Sequence, residues 1–253
     1  MTNSFYMNIE EQMKEDIAVP FYKSVVELLL ENDFAFLIGG AFAMRHYTGI
    51  YRDTKDLDIF CKAEDYPAIA SIFAKEDYII EVTDPRWLAK VYKGPHFVDF
   101  IFNTTNNICP VNDSWFENSV TIDLFDHPLP LMGVEEMIWT KLYVHNRERY
   151  DATDINHIIL RYGHKINWER LLHLMANHWH LLLAQILNFQ FVYPSDKDLI
   201  PRWLFTKLLQ LAERQFDLPS PVVKVCLGPL IDQTNYEIDV KEWGYKSLTT
   251  KTV

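Results

Sequence analysis

The run Phe34-Ala-Phe-Leu-Ile38 ends abruptly on Gly39-Gly40. Five residues of this kind have the length of a buried strand, and paired glycines suit a tight turn out of it. Ala41 to Tyr47 reads as the helix that follows, and Leu57 to Phe60 as the next strand. This stretch therefore reads as a strand, a tight turn, a helix and a strand.

The neighbouring text extends that pattern. Val19 to Asn32 carries apolar residues close to helical period, and Pro20 fits its first turn, where a missing N–H costs nothing. Tyr66 to Lys75 reads as another helix, and Tyr78 to Val82, Leu88 to Tyr92 and Phe97 to Phe102 as further strands. His127-Pro-Leu-Pro130 is a breaker-rich junction, after which the text turns helical. One helix is expected over Val134 to Arg147. A second is capped by Asp151 to Asp154 and stops at Gly163, and longer stretches cover Trp168 to Phe189 and Pro201 to Phe216. The expected fold class is α+β, a mixed β-sheet with helices over residues 1–130 followed by a helical domain over 131–253. Trp139, Trp168, Trp179 and Trp203 fall in apolar helical stripes and are expected in the core.

Charge is divided unevenly. Residues 1–130 hold 10 basic and 21 acidic residues, whereas residues 131–253 hold 14 of each. A net of −11 on the first half argues against a surface that coats nucleic acid, since such binding rests on Lys and Arg. It suits a site that gathers divalent cations, and equally a plain soluble surface. Met1 to Glu15 is polar and acidic with no apolar core of a leader, and no apolar stretch reaches membrane-spanning length. Cys61, Cys109 and Cys226 lack metal or disulfide spacing and read as buried thiols, so a cytoplasmic protein with no membrane partner is expected.

The chemistry-bearing residues lie in the first half. Asp56 and Asp58 are two apart at a strand, so their carboxylates share a face. Like charges so placed repel unless a cation separates them, and hard oxygen ligands suit Mg²⁺ or Mn²⁺. Asp99 stands alone in Phe97-Val-Asp-Phe-Ile-Phe102, where a buried charge is costly unless paired or metal-bound. If its strand neighbours that of Asp56 and Asp58, the three carboxylates converge. A triad of this kind can hold two ions about 3.5–4 Å apart. Gly39 and Gly40 open a helix whose N-terminal N–H groups suit a phosphate. Arg52 is either a phosphate contact or a partner of Asp53, and Thr54 can orient the loop through its hydroxyl. Lys141, His145 and Arg149 would form one basic stripe along a helix. His173, His178 and His180 lack the spacing of a helical zinc pair and read as surface residues.

A Gly-Gly turn, an Arg52-x-Thr54-x-Asp56-Leu-Asp58 strand and a later lone Asp in an apolar strand together resemble the DNA polymerase beta-like nucleotidyltransferase superfamily. The long spacing from Ala41 to Lys55 looks most like its small bacterial branch, which includes the abortive-infection nucleotidyltransferase toxins. Lys141, Arg147, Asp151 and Asp154 are similar to a downstream helical segment of that branch, and the resemblance covers roughly residues 34–160. It implies that Asp56 and Asp58 ligate both metal ions, and that Asp99 ligates one and acts as general base. It implies that Gly39, Gly40, Arg52, Thr54 and Lys141 serve the nucleotide. Many members carry Gly-Ser at the turn, where this chain has Gly-Gly followed by Ala41. The implied reaction moves an NMP from an NTP to a hydroxyl of a small antibiotic-like molecule, an RNA 3′ end such as that of tRNA, or a protein, with release of pyrophosphate. A cognate antitoxin is the implied protein partner. A non-catalytic nucleotide-binding or partner-binding module on the same fold is the alternative, and a metal phosphohydrolase a weaker one.

Overall fold

The structure is a computed structural model that describes residues 18–248; the polar stretch Met1 to Glu15 lies outside them. The chain divides into two compact units. Among the described residues, the first comprises 18–43, Arg52–Asn103 and Pro110–Met132, and the second Met44–Tyr51, Thr104–Cys109 and 133–248.

The first unit is built on a mixed sheet of seven strands. They are β1 (Leu37–Ile38), β2 (Leu57–Phe60), β3 (Ile79–Asp84), β4 (Leu88–Lys93), β5 (His96–Ile101), β6 (Val120–Leu124) and β7 (His127–Leu131). Their order is β3-β4-β5-β2-β1-β7-β6. Strands β2 and β5 run parallel, as do β1 and β7, and every other neighbour is antiparallel.

Alternation decides what each face carries. Leu57, Ile59, Val98 and Phe100 are fully buried. Phe100 meets Tyr66 and Phe73 of helix α3 (Tyr66–Lys75) at ring distances of 6.0 and 5.6 Å. Helix α1 (Val19–Glu31) adds Tyr22, Val25, Val26 and Leu29 to the unit's core, one helical stripe starting next to Pro20. Truncating a ring such as Phe100 would cost about 3–5 kcal/mol. Because side chains alternate along a strand, Asp58 and Asp99 point to the face opposite these residues.

The region around His127-Pro-Leu-Pro130 is a strand rather than a junction. It pairs with β6 through a two-residue turn in which Phe125 and Asp126 take φ of 54° and 66°. Pro128 and Pro130 alternate with the residues that close this hairpin. Their missing N–H groups therefore fall toward β1, where only Ile38 pairs with β7.

The second unit is mostly helical: α5 (Val134–Lys141), α6 (Ala152–Tyr162), α7 (Trp168–Met175), α8 (Trp179–Val192) and α9 (Arg202–Phe216), with a short parallel pair β8 (Val225–Cys226) and β9 (Lys246–Ser247). The helix expected over Val134 to Arg147 stops at Lys141. Beyond it, the Asn146 carboxamide accepts from the N–H groups of Glu148 and Arg149, and His145 bridges Tyr150, so the chain doubles back. The stretch Trp168 to Phe189 is likewise two helices, broken where Ala176 takes φ 43°. Trp139 and Trp168 are buried as expected, but Trp203 is 45% exposed and Trp179 only half-buried. Cys61 and Cys109 are buried, whereas Cys226 is half-exposed. Among the described residues no helix is long and apolar enough to cross a membrane.

Candidate active site on the open sheet face

Asp58 of β2 and Asp99 of β5 are register partners in adjacent parallel strands. Directly opposed residues point to the same face, so the two carboxylates share it. Asp56 stands just before β2 with the same parity as Asp58. The Thr54 hydroxyl donates to the Asp56 carboxylate at 2.9 Å and lies 3.0 Å from its carbonyl oxygen, which fixes that side chain. Asp99 is 9% exposed. Burial pushes its pKa above the usual carboxylate range, Lys90 pulls it back, and the charge of Asp56 adds to the upward push. Asp58 and Asp99 are thus neighbours on one face, with Asp56 near enough for its charge to act on Asp99. Among the described residues, however, no three acidic, cysteine or histidine side chains are gathered as tightly as a closed metal site would hold them.

A lysine and two glycines shape this face. Lys90 of β4 pairs with Asp99 across the ladder and places its Nζ 2.5 Å from Asp99 Oδ1. At the other side, Gly39 lies beside Asp58, its N–H donating to the Asp58 carbonyl at 2.9 Å. A Cβ on Gly39 would lie 2.3 Å from the Phe60 ring, which is packed at 5.6 Å against Trp115. A Cβ on Gly40 would lie 1.7 Å from Asp58 Oδ2, and Gly40 has φ +52°. Only glycine fits there, and what it admits is the Asp58 carboxylate, at the start of helix α2 (Gly40–Thr48). The positive end of that helix favours the negative charge. Arg52 is exposed in the loop that leads into β2.

Lys141 lies in the second unit, at the end of α5. Its Nζ is 2.7 Å from both Asp151 Oδ2 and Asp154 Oδ2, and all three side chains are nearly buried. Asp151 also receives the Arg149 guanidinium at 2.9 Å and makes no side-chain cap on α6. The basic stripe of Lys141, His145 and Arg149 does not form, because the helix that would carry it ends first. Of the histidines, His178 meets the Tyr143 hydroxyl at 2.7 Å and His180 meets Gln215.

Lys90 is the site residue the sequence reading missed. Its signal was present: a two-residue turn at Gly94-Pro95 sets Lys93 opposite His96, and counting back three on each side sets Lys90 opposite Asp99.

No protein family matches the sequence, and no curated protein matches it significantly. Solved structures do, several of them described as nucleotidyltransferases or adenylyltransferases. The lincosamide antibiotic adenylyltransferase LnuA, solved with lincomycin bound, is similar at 16% identity and a TM-score of 0.41 over 56% of this chain and 96% of that one. The antibiotic-resistance factor ANT(2″)-Ia is similar at 15% identity and 0.46, over 66% and 93%. An antigenic nucleotidyltransferase-like protein from Paracoccidioides brasiliensis is similar at 14% and 0.39, over 66% and 88%. Likeness this distant fixes no substrate and no residue role.

Proposed function

We propose that this chain is a metal-dependent nucleotidyltransferase that moves an NMP from an NTP to a hydroxyl acceptor and releases pyrophosphate. One observation carries this: Asp99 sits opposite Asp58 in the neighbouring strand, with Asp56 two residues ahead and held by Thr54.

The donor set fits Mg²⁺ or Mn²⁺, for it consists of carboxylate oxygens alone, and Gly40 keeps the Asp58 carboxylate clear of side-chain crowding. Asp56, Asp58 and Asp99 would hold the ions. When bound, such ions neutralise phosphate charge and make an acceptor hydroxyl easier to deprotonate. The protein's own part is positioning and proton transfer, since phosphoryl transfer asks little covalent chemistry of it. Asp99, opposite Asp58 in the neighbouring strand, would take the acceptor's proton. The acceptor oxygen then bonds to the α-phosphorus as the bond to the β-phosphate oxygen breaks, and pyrophosphate leaves. Gly39, Gly40 and the first turn of α2 lie beside Asp58 and would receive phosphate oxygens, and Arg52 would meet them from the loop.

The acceptor is a hydroxyl of a small molecule, an RNA 3′ end or a protein. The long spacing between turn and strand supports a reading of the chain as one of the abortive-infection toxin branch, acting in the cytoplasm and held in check by a cognate antitoxin. Incubation with each α-labelled NTP, Mg²⁺ and cell lysate tests the assignment. Label should enter a discrete acceptor with one pyrophosphate released per transfer. Release of γ-phosphate without transfer of α-label would instead mark a phosphohydrolase.

A further inference from the structure

Lys90 stands where a solvated surface lysine would not. Its side chain is 21% exposed, and that of Asp99 13%. The ammonium is 2.5 Å from Asp99 Oδ1 and 4.3 Å from the centroid of the Phe97 ring. A cation pinned between a carboxylate and an aromatic face is held from two sides. Its other ladder partner, Glu81, is engaged elsewhere: the Tyr92 hydroxyl donates to it at 3.0 Å and the Thr83 hydroxyl at 3.3 Å. The charge of Lys90 is therefore directed at Asp99.

On the basis of the transfer function above, we propose that Lys90 is the resident cation of the third carboxylate. In the free protein it fills the place at Asp99 that a second divalent ion would take, so that Asp56 and Asp58 bind one ion while Asp99 remains with Lys90. Two cations on one carboxylate repel, and the one tethered by covalent bonds is always present. Lys90 acts through Asp99 and is a positioning residue: it keeps the carboxylate aimed until nucleotide arrives.

Titration of the whole chain with Mn²⁺, read by electron paramagnetic resonance of the free ion, tests this without any turnover. Wild type should bind about one Mn²⁺ per chain and Lys90→Met about two, with Lys90→Arg like wild type. Adding Asp99→Asn to Lys90→Met should return the count to about one. Lys90→Met keeps the apolar stem against Phe97; should its circular dichroism show misfolding, Lys90→Gln is read in its place. A merely structural lysine would lower metal binding or leave it alone, and would not raise it. Wild type binding two ions, or a folded Lys90→Met or Lys90→Gln protein still binding one, overturns the role of Lys90 while leaving the transfer function standing, provided Asp58→Asn abolishes binding. Wild type binding none, or Asp58→Asn binding as wild type does, removes the metal site itself and the role of Lys90 with it.

Discussion

A side chain on Gly40 would collide with the carboxylate of Asp58: its Cβ would lie 1.7 Å from Oδ2. The turn and the strand that carries Asp58 are thus one mechanical piece. Gly40→Ala combines that collision with φ +52°, which costs about 1–3 kcal/mol for a non-glycine residue. Denaturant melts should show a loss of at least that order, and Mn²⁺ affinity should fall with it. Unchanged melting and unchanged affinity would mean that Asp58 does not sit against the turn.

Asp99→Asn should leave MgNTP affinity within a few-fold and slow the transfer step by roughly 10²-fold or more. It should not stabilise the protein, although a crowded anionic face loses one charge, because Lys90 would then lack its partner carboxylate. Calorimetry with MgNTP and single-turnover transfer separate the two effects. Loss of nucleotide binding along with transfer would make Asp99 a substrate-metal ligand rather than the base.

Lys141→Ala should act first on stability. Its ammonium bridges two nearly buried carboxylates, and removing one partner of such a cluster costs about 3 kcal/mol or more. Lys141→Ala with Asp154→Asn should regain part of that loss. A Lys141→Ala protein that melts like wild type but shows a raised KM for NTP would restore Lys141 to the nucleotide.

The thiols give a check on the fold. Burial pushes the Cys61 pKa up to about 12 and the Cys109 thiol higher still, whereas Cys226 is half-exposed. An aromatic disulfide reagent at pH 8 should modify Cys226 alone in the native protein and all three after denaturation. Rapid native reaction at Cys61 would contradict the packing at the end of β2.

How far the sequence spoke depended on how local the cause was. The turn at Gly39-Gly40 and the strands of Asp58 and Asp99 were readable because apolar runs, glycines and alternation lie within a few residues of one another. That those two strands are neighbours had to be assumed, since parallel pairing across some forty residues leaves no local mark. The strand at His127-Pro-Leu-Pro130 was hidden because its prolines face the short side of β1. The end of α5 was hidden because Lys141 finds its carboxylates ten and thirteen residues on, so a pattern continued by eye through His145 passes the true stop. Lys90 is placed opposite Asp99 by the hairpin register, but a lysine in an alternating strand has the same local pattern as an ordinary solvent-facing residue.

The site stands or falls on pyrophosphate release from MgNTP in cell lysate, measured for wild type beside Asp58→Asn. The amide keeps the shape at Gly40 and removes the charge that would bind metal. Wild type should release pyrophosphate in step with transfer of the α-label, and the variant, folded by circular dichroism, should release none above lysate background. A folded Asp58→Asn protein that turns over like wild type would show that the carboxylates on this sheet face are not the catalytic centre.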